Sequence, residues 1–154
     1  MSLAHIFPWF GVVLTITVCA GAFWKGGREE QQAAAGLLLA LAVTLAMRDR
    51  TWVGTQWGAF AADVCLFAFL TFIALRSKRY WPLAAAGFQL LGVATHLART
   101  LDPGVRAWAY ATGQVIWSQL VFWALAVGVF NTWRARRQET VSGGAVTEPG
   151  ATRR

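Results

Sequence analysis

Five apolar stretches separated by short charged segments make up most of the chain. About 20 apolar residues in a helix cross the hydrocarbon of a bilayer, and lipid offers no partners for exposed backbone N–H and C=O groups. Each stretch is therefore predicted to form a membrane-spanning α-helix. The predicted fold class is all-α, a polytopic transmembrane bundle of five spanning helices. The predicted spans are residues 6–24, 31–47, 55–75, 81–98 and 107–130.

The positive charges between these stretches predict the orientation of the helices. Lys and Arg residues in short loops stay on the cytoplasmic side of a membrane. With five spans the basic residues divide ten to four between the two sides, whereas leaving out the fourth span divides them seven to seven. Five spans therefore explain the charges best, with the N-terminus outside and the C-terminus in the cytoplasm.

The composition agrees with a membrane protein. Of the 154 residues 56% are hydrophobic and 14% are charged, whereas soluble domains average about 25% charged residues. The formal net charge of +7 does not indicate a nucleic-acid partner, because the basic residues lie between apolar stretches and not on a soluble face. Lipid is the predicted partner. No organelle-targeting feature is present, so the predicted location is a bacterial inner membrane, with a multi-pass topology.

The two ends of the chain need separate interpretation. Ala20-Gly21-Ala22 resembles a signal-peptidase site, but the preceding leader has no positive charges, so residues 6–24 are expected to remain as a helix. Residues 134–154 begin with basic residues and continue with Gly, Ser, Thr and Pro. This composition predicts a basic, disordered cytoplasmic tail.

Polar side chains inside the predicted spans are the candidate functional residues. An ionised carboxylate at the centre of a bilayer helix costs about 2.5 to 3.5 kcal/mol on insertion scales, so Asp63 is expected to find a partner, a proton or water. Gln89, His96 and Arg99 share one face of the fourth helix by their spacing. Arg99 can reach the outer headgroups, and Gln89 lies near mid-bilayer. The residues whose depths overlap in the outer half of the membrane are Asp63, His96, Gln114 and Ser118. The predicted cluster comprises Asp63, Gln89, His96, Arg99, Gln114 and Ser118.

Two interpretations of this cluster stay open. Side-chain hydrogen bonds commonly hold membrane helices together, at about 0.6 kcal/mol each, so an Asp63–His96 or Asp63–Gln114 pair could be purely structural. An intramembrane carboxylate beside a histidine is also typical of proton pathways. Haem ligation by His5 and His96 is a weaker possibility, because His5 lies near the chain end. No cofactor and no metal site is predicted, and Cys19 and Cys65 are expected to be inert thiols.

The function classes follow from this layout. The loops are too short to fold a soluble module, and the sequence has no nucleotide-binding loop, nucleophile elbow or HExxH motif, so no enzyme is predicted. The leading hypothesis is an accessory or interaction subunit of a membrane complex, with a protein partner or further copies of the chain. The alternative is an oligomeric small-solute or proton-linked transporter or channel that uses Asp63. The third is a haem-binding electron-transfer subunit.

Overall fold

Five α-helices and no strand make up the part of the chain that the computed structural model describes, which is residues 6–47, 57–102 and 104–145. Of residues 6–10 and 141–145 only the backbone is described. The all-α prediction is confirmed. The helices are α1 (Ile6–Lys25), α2 (Arg28–Ala46), α3 (Trp57–Arg76), α4 (Trp81–Leu101) and α5 (Ala107–Ala145).

Local chemistry explains where α2 and α4 begin. Helix α2 starts three residues before the predicted span, because the Glu30 carboxylate accepts a hydrogen bond from the Gly27 N–H at 2.8 Å and so satisfies an N-terminal donor. Acidic residues in the first turn also suit the positive end of the helix dipole. Helix α4 carries Pro82 in its first turn, where the missing N–H has no cost. The charged segment before residue 31 is therefore helical, not a loop.

Helix α5 is longer than the sequence predicted. It continues to Ala145, so residues 134–145 are helical where a disordered tail was expected. Arg136 donates to the Lys25 and Gly26 carbonyl oxygens at 3.4 and 3.3 Å, and the Arg137 guanidinium lies 4.2 Å from the Trp133 ring centroid. The Arg136 bonds hold the extension against the carboxyl end of α1, and the Arg137–Trp133 contact lies within α5 itself. The remainder of the predicted tail, residues 146–154, lies outside the described residues.

The helices pack in chain order around a closed ring. Each helix contacts the next, α5 closes the ring against α1, and α2 also reaches α5 across the middle. Small residues allow these close approaches: a Cβ added at Gly128 would lie 2.7 Å from the Trp81 indole, and one added at Gly36 would lie 2.7 Å from the Phe69 ring. The absence of a Cβ at these two glycines lets the helices pack closely and gain dispersion contacts with the neighbouring aromatic rings.

Two of the described helices are long and apolar enough to cross a membrane. They are α3, with a mean hydropathy of 2.1, and the Ala107–Thr140 part of α5, with 1.5. The side-chain-resolved part of α1, Gly11–Lys25, is apolar but shorter. Helices α2 and α4 are not apolar enough over such a length. Helix α2 begins with charged and amide residues, and α4 contains Gln89, His96 and Arg99. The five-span prediction is thus not confirmed.

Candidate functional site

A buried group of polar side chains joins α3, α4 and α5. We call Asp63, Gln89, His96 and Tyr110 the Asp63 cluster. On α4, Gln89 and His96 are seven residues apart, which places them on one face of the helix. That face is buried, with Gln89 at 5% and His96 at 2% exposure, whereas Leu90 on the neighbouring face is 48% exposed. The sequence of α4 therefore directs its polar residues inward.

The centre of the Asp63 cluster is a chain of three side chains. Asp63 Oδ2 lies 3.0 Å from His96 Nε2, and His96 Nδ1 lies 2.6 Å from the Tyr110 hydroxyl. In a neutral imidazole one ring nitrogen donates and the other accepts. If Nε2 donates to the carboxylate, Nδ1 accepts from the phenol. Carboxylate, imidazole and phenol each can hold or release a proton, so the chain offers a route for one across three helices.

Gln89 completes the surroundings of the carboxylate. Its Nε2 donates to Asp63 Oδ1 at 2.9 Å and approaches the Asp63 backbone oxygen at 3.4 Å. Both carboxylate oxygens of Asp63 are therefore hydrogen-bonded to α4. The Asp63 side chain keeps 23% of its surface exposed, whereas the His96 side chain is buried. Solvent, lipid or a partner can reach Asp63 more readily than His96.

The other predicted members lie at the edge of the cluster or apart from it. Gln114 donates to the Gly92 carbonyl oxygen at 3.1 Å, beside the cluster. Ser118 donates to the Val115 carbonyl oxygen of its own helix at 2.9 Å and is exposed, so it does not join the cluster. The Arg99 guanidinium donates to the Val105 carbonyl oxygen in the connection between α4 and α5. Ser118 therefore lies apart from Asp63, contrary to the prediction.

Tyr110 is the member that the sequence did not predict. Its ring is 1% exposed and packs edge-on against His96, with 5.4 Å between the ring centroids. Tyr110 precedes Gln114 by four residues and therefore lies on the same face of α5. That spacing was the available signal. A tyrosine near the end of a predicted span is also typical of the membrane interface, which hid its role.

A second buried polar group lies at the other end of the bundle. We call Glu30, Arg79, Trp81 and Thr132 the Glu30 network. Glu30 is 0% exposed, and its Oε1 accepts from Arg79 Nη1 at 2.5 Å, from Trp81 Nε1 at 3.1 Å and from Thr132 Oγ at 2.9 Å. Arg79 also contacts the Thr132 hydroxyl. One carboxylate on α2 therefore joins the connection between α3 and α4, the first residue of α4, and α5.

The geometry also bears on haem and metal binding. Both ring nitrogens of His96 are already hydrogen-bonded, to Asp63 and Tyr110, so ligation by His96 would require one of these bonds to break. His5 lies outside the described residues. Over the ranges described, no group of three or more His, Cys, Asp or Glu side chains could hold a metal ion.

Comparisons with protein-family models, with curated proteins and with solved structures found no match to this chain. The geometry of the two polar groups and the outer surface of the bundle are therefore the features that bear on function.

Proposed function

We propose that this chain is a multi-pass inner-membrane protein whose five helices cross the bilayer, with the N-terminus outside. Exposed apolar side chains support the membrane location, and the division of the basic residues between the two ends of the bundle supports the orientation. One large apolar residue near the middle of each helix illustrates the apolar exposure: Ile16 is 56% exposed, Leu39 68%, Val64 40%, Leu90 48% and Trp123 56%. In water such surfaces would be unfavourable on every side of the bundle, whereas lipid covers them at no cost.

Cysteine labelling tests the topology. In a variant with Cys19 and Cys65 replaced by Ala, Asp102→Cys should react with a membrane-impermeant maleimide in intact cells. Lys78→Cys should react only after the cells are opened. The reverse pattern, or equal labelling of both positions in intact cells, would contradict five spans with this orientation.

Within that membrane we propose a non-enzymatic role as an accessory or interaction subunit. The observation that carries this proposal is Trp123, which lies in the middle of α5 and is 56% exposed. Among the described residues its indole N–H has no hydrogen-bond partner, unlike that of Trp117, which donates to Thr95 Oγ at 3.0 Å. An acceptor on another membrane protein, or on a second copy, would satisfy this donor, and Trp is enriched at the centres of binding interfaces.

Purification in mild detergent after crosslinking in the membrane tests the accessory role. The wild-type chain should retain a stoichiometric partner, identifiable by mass spectrometry, or a second copy of itself. Trp123→Leu should reduce the retained partner at least about tenfold, the effect of losing a hot-spot residue. Phe72→Leu is the matched control, because Phe72 is a similarly exposed aromatic residue on α3. A lone protein on crosslinking, or equal losses for both variants, would refute this role.

A second candidate function is proton-linked transport through the Asp63 cluster. The hydrogen bonds from Asp63 to His96 and from His96 to Tyr110 favour this function, because they connect three side chains that can each exchange a proton. Proton flux into liposomes should fall to background for Asp63→Asn and for Tyr110→Phe. Asp102→Asn, a change outside the cluster, should leave the flux unchanged. Equal background flux for wild type and all variants, with each shown to be folded, would exclude this function.

A further inference from the structure

The groove between α3 and α4 has the form of a site for one lipid chain. It has a volume of about 490 Å³ and runs from Leu90 to the connection before α4. Its apolar wall includes Phe67 and Leu83, and Gly87 leaves open space where a side chain would stand. The stretch from residue 80 to residue 90 is about 15 Å long at 1.5 Å per residue, which matches half of a hydrocarbon core of about 30 Å.

The mouth of this groove carries positive charge and hydrogen-bond donors. Ser77, Lys78, Arg79 and Tyr80 line it, and Lys78 and Tyr80 are exposed. Arg79 is paired with Glu30, but no ion pair of Lys78 is found in the part of the chain that the structure describes. An ammonium group above an apolar groove is complementary to a phosphate joined to an acyl chain.

A second groove, between α1 and α5, does not have this combination. It is smaller, at about 330 Å³, and Lys25 is the basic residue that lines it. The Lys25 ammonium lies over the Trp24 and Trp133 rings, 5.4 and 5.3 Å from their centroids. The Lys25 ammonium therefore already has favourable cation–π partners within the protein. The two grooves therefore form a natural pair of test and control.

We propose that the groove between α3 and α4 binds one anionic phospholipid, with an acyl chain beside Gly87 and the phosphate at Lys78. This inference rests on the membrane location proposed above. The lipid would fill the space between the two helices that supply Asp63 and Gln89, on the cytoplasmic side of the Asp63 cluster. The site requires both the apolar groove and the charge, so a free phosphate ion is not the ligand.

Native mass spectrometry of the purified protein with equal amounts of phosphatidylglycerol and phosphatidylcholine tests this site. The wild type should retain one phosphatidylglycerol, and inorganic phosphate should not displace it. Lys78→Gln should weaken retention about fivefold, which corresponds to about 1 kcal/mol for one basic residue near an anionic headgroup. Arg28→Gln removes an exposed charge outside the residues that line the groove and should change retention little.

Filling either groove gives a second, independent comparison. Gly87→Leu should abolish selective retention, whereas Gly21→Leu, which fills the groove between α1 and α5, should not. An added Cβ meets no atom within 4 Å at either glycine, so both variants are expected to fold. Equal retention of the two lipids, displacement by phosphate, or loss in Gly21→Leu but not in Gly87→Leu would overturn the lipid site. If alkaline washing removes the wild type from membranes, the membrane location itself is wrong, and this outcome is distinguishable from the others.

Discussion

Removal of the Glu30 carboxylate should destabilise the bundle more than any other single loss of charge at this end. Glu30 is fully buried and accepts hydrogen bonds from the Gly27 N–H, Arg79, Trp81 and Thr132. In Glu30→Ala the Thr132 hydroxyl can donate its one proton to the Gly128 carbonyl oxygen instead, and the Arg79 side chain, 43% exposed, can reach water. The Trp81 indole N–H has no such alternative.

The expected magnitude follows from these partners. A buried donor left unsatisfied costs about 1 to 3 kcal/mol, and lost hydrogen bonds to a charged group contribute about 1.5 to 3 kcal/mol. Trp81 is only 6% exposed, so its indole N–H belongs to the buried class. Because the Arg79 side chain is partly exposed, its ion pair with Glu30 contributes less to the free energy of unfolding than a fully buried pair would. We expect Glu30→Ala to lower the free energy of unfolding by about 3 to 5 kcal/mol.

The assay is reversible unfolding in mixed micelles, with helix content followed by circular dichroism as the denaturing detergent is increased. Glu29→Ala is the matched control, since Glu29 is adjacent, only partly buried and accepts one hydrogen bond, from Ser77 Oγ at 2.7 Å. It should cost about 1 kcal/mol or less. If Glu30→Ala does not fold, Glu30→Gln keeps the shape and should show an intermediate loss. Equal effects for Glu29→Ala and Glu30→Ala would refute the assigned role of the buried network.

Three further changes can be measured with the same unfolding assay. Gly128→Ala should destabilise by about 1 to 3 kcal/mol, because the new methyl group would overlap the Trp81 indole. Gly21→Ala, at an open position within α1, should instead stabilise by about 0.5 to 1 kcal/mol, because Ala favours the helix more than Gly. Thr71→Val should stabilise by about 1 kcal/mol, because the Thr71 hydroxyl is buried without a hydrogen-bond partner in the described structure. Tyr110→Phe should destabilise by about 1 kcal/mol, since it removes the buried hydrogen bond between the Tyr110 hydroxyl and His96 Nδ1. No change in stability for Tyr110→Phe, or stabilisation by Gly128→Ala, would contradict the described packing.

Apolar length and charge predicted the number of helices correctly but not all of their ends. Helix α2 begins among charged residues because Glu30 caps its own first turn at the Gly27 N–H. The fold also buries this carboxylate against Arg79 and Thr132, partners that no local pattern indicates. Helix α5 passes its predicted end at residue 130 because Arg136 bonds to the carboxyl end of α1. Polar contacts, local at α2 and tertiary at α5, set these two boundaries, and hydropathy does not contain them.

Depth in the predicted membrane was enough to bring Asp63 and His96 together, but rotation about the helix axis decided the rest. Successive residues on a helix are about 100° apart, so a small error in the buried face removes a side chain from the cluster. Ser118 was lost in this way, and Tyr110 was gained. The pairing of Gln89 with both the side chain and the backbone of Asp63 depends on the distance between α3 and α4, which single-helix patterns do not contain.

The unbroken length of α5 gives the molecule a mechanical lever. One continuous helix links Tyr110 to Ala145, a distance of about 52 Å at 1.5 Å per residue. A tilt of about 5° at the Tyr110 end would swing Ala145 by about 5 Å over that distance. Because Arg136 on α5 bonds to the Lys25 and Gly26 carbonyl oxygens, a tilt that begins at the Tyr110–His96 contact would pull on the carboxyl end of α1, so α5 connects the two ends of the bundle mechanically.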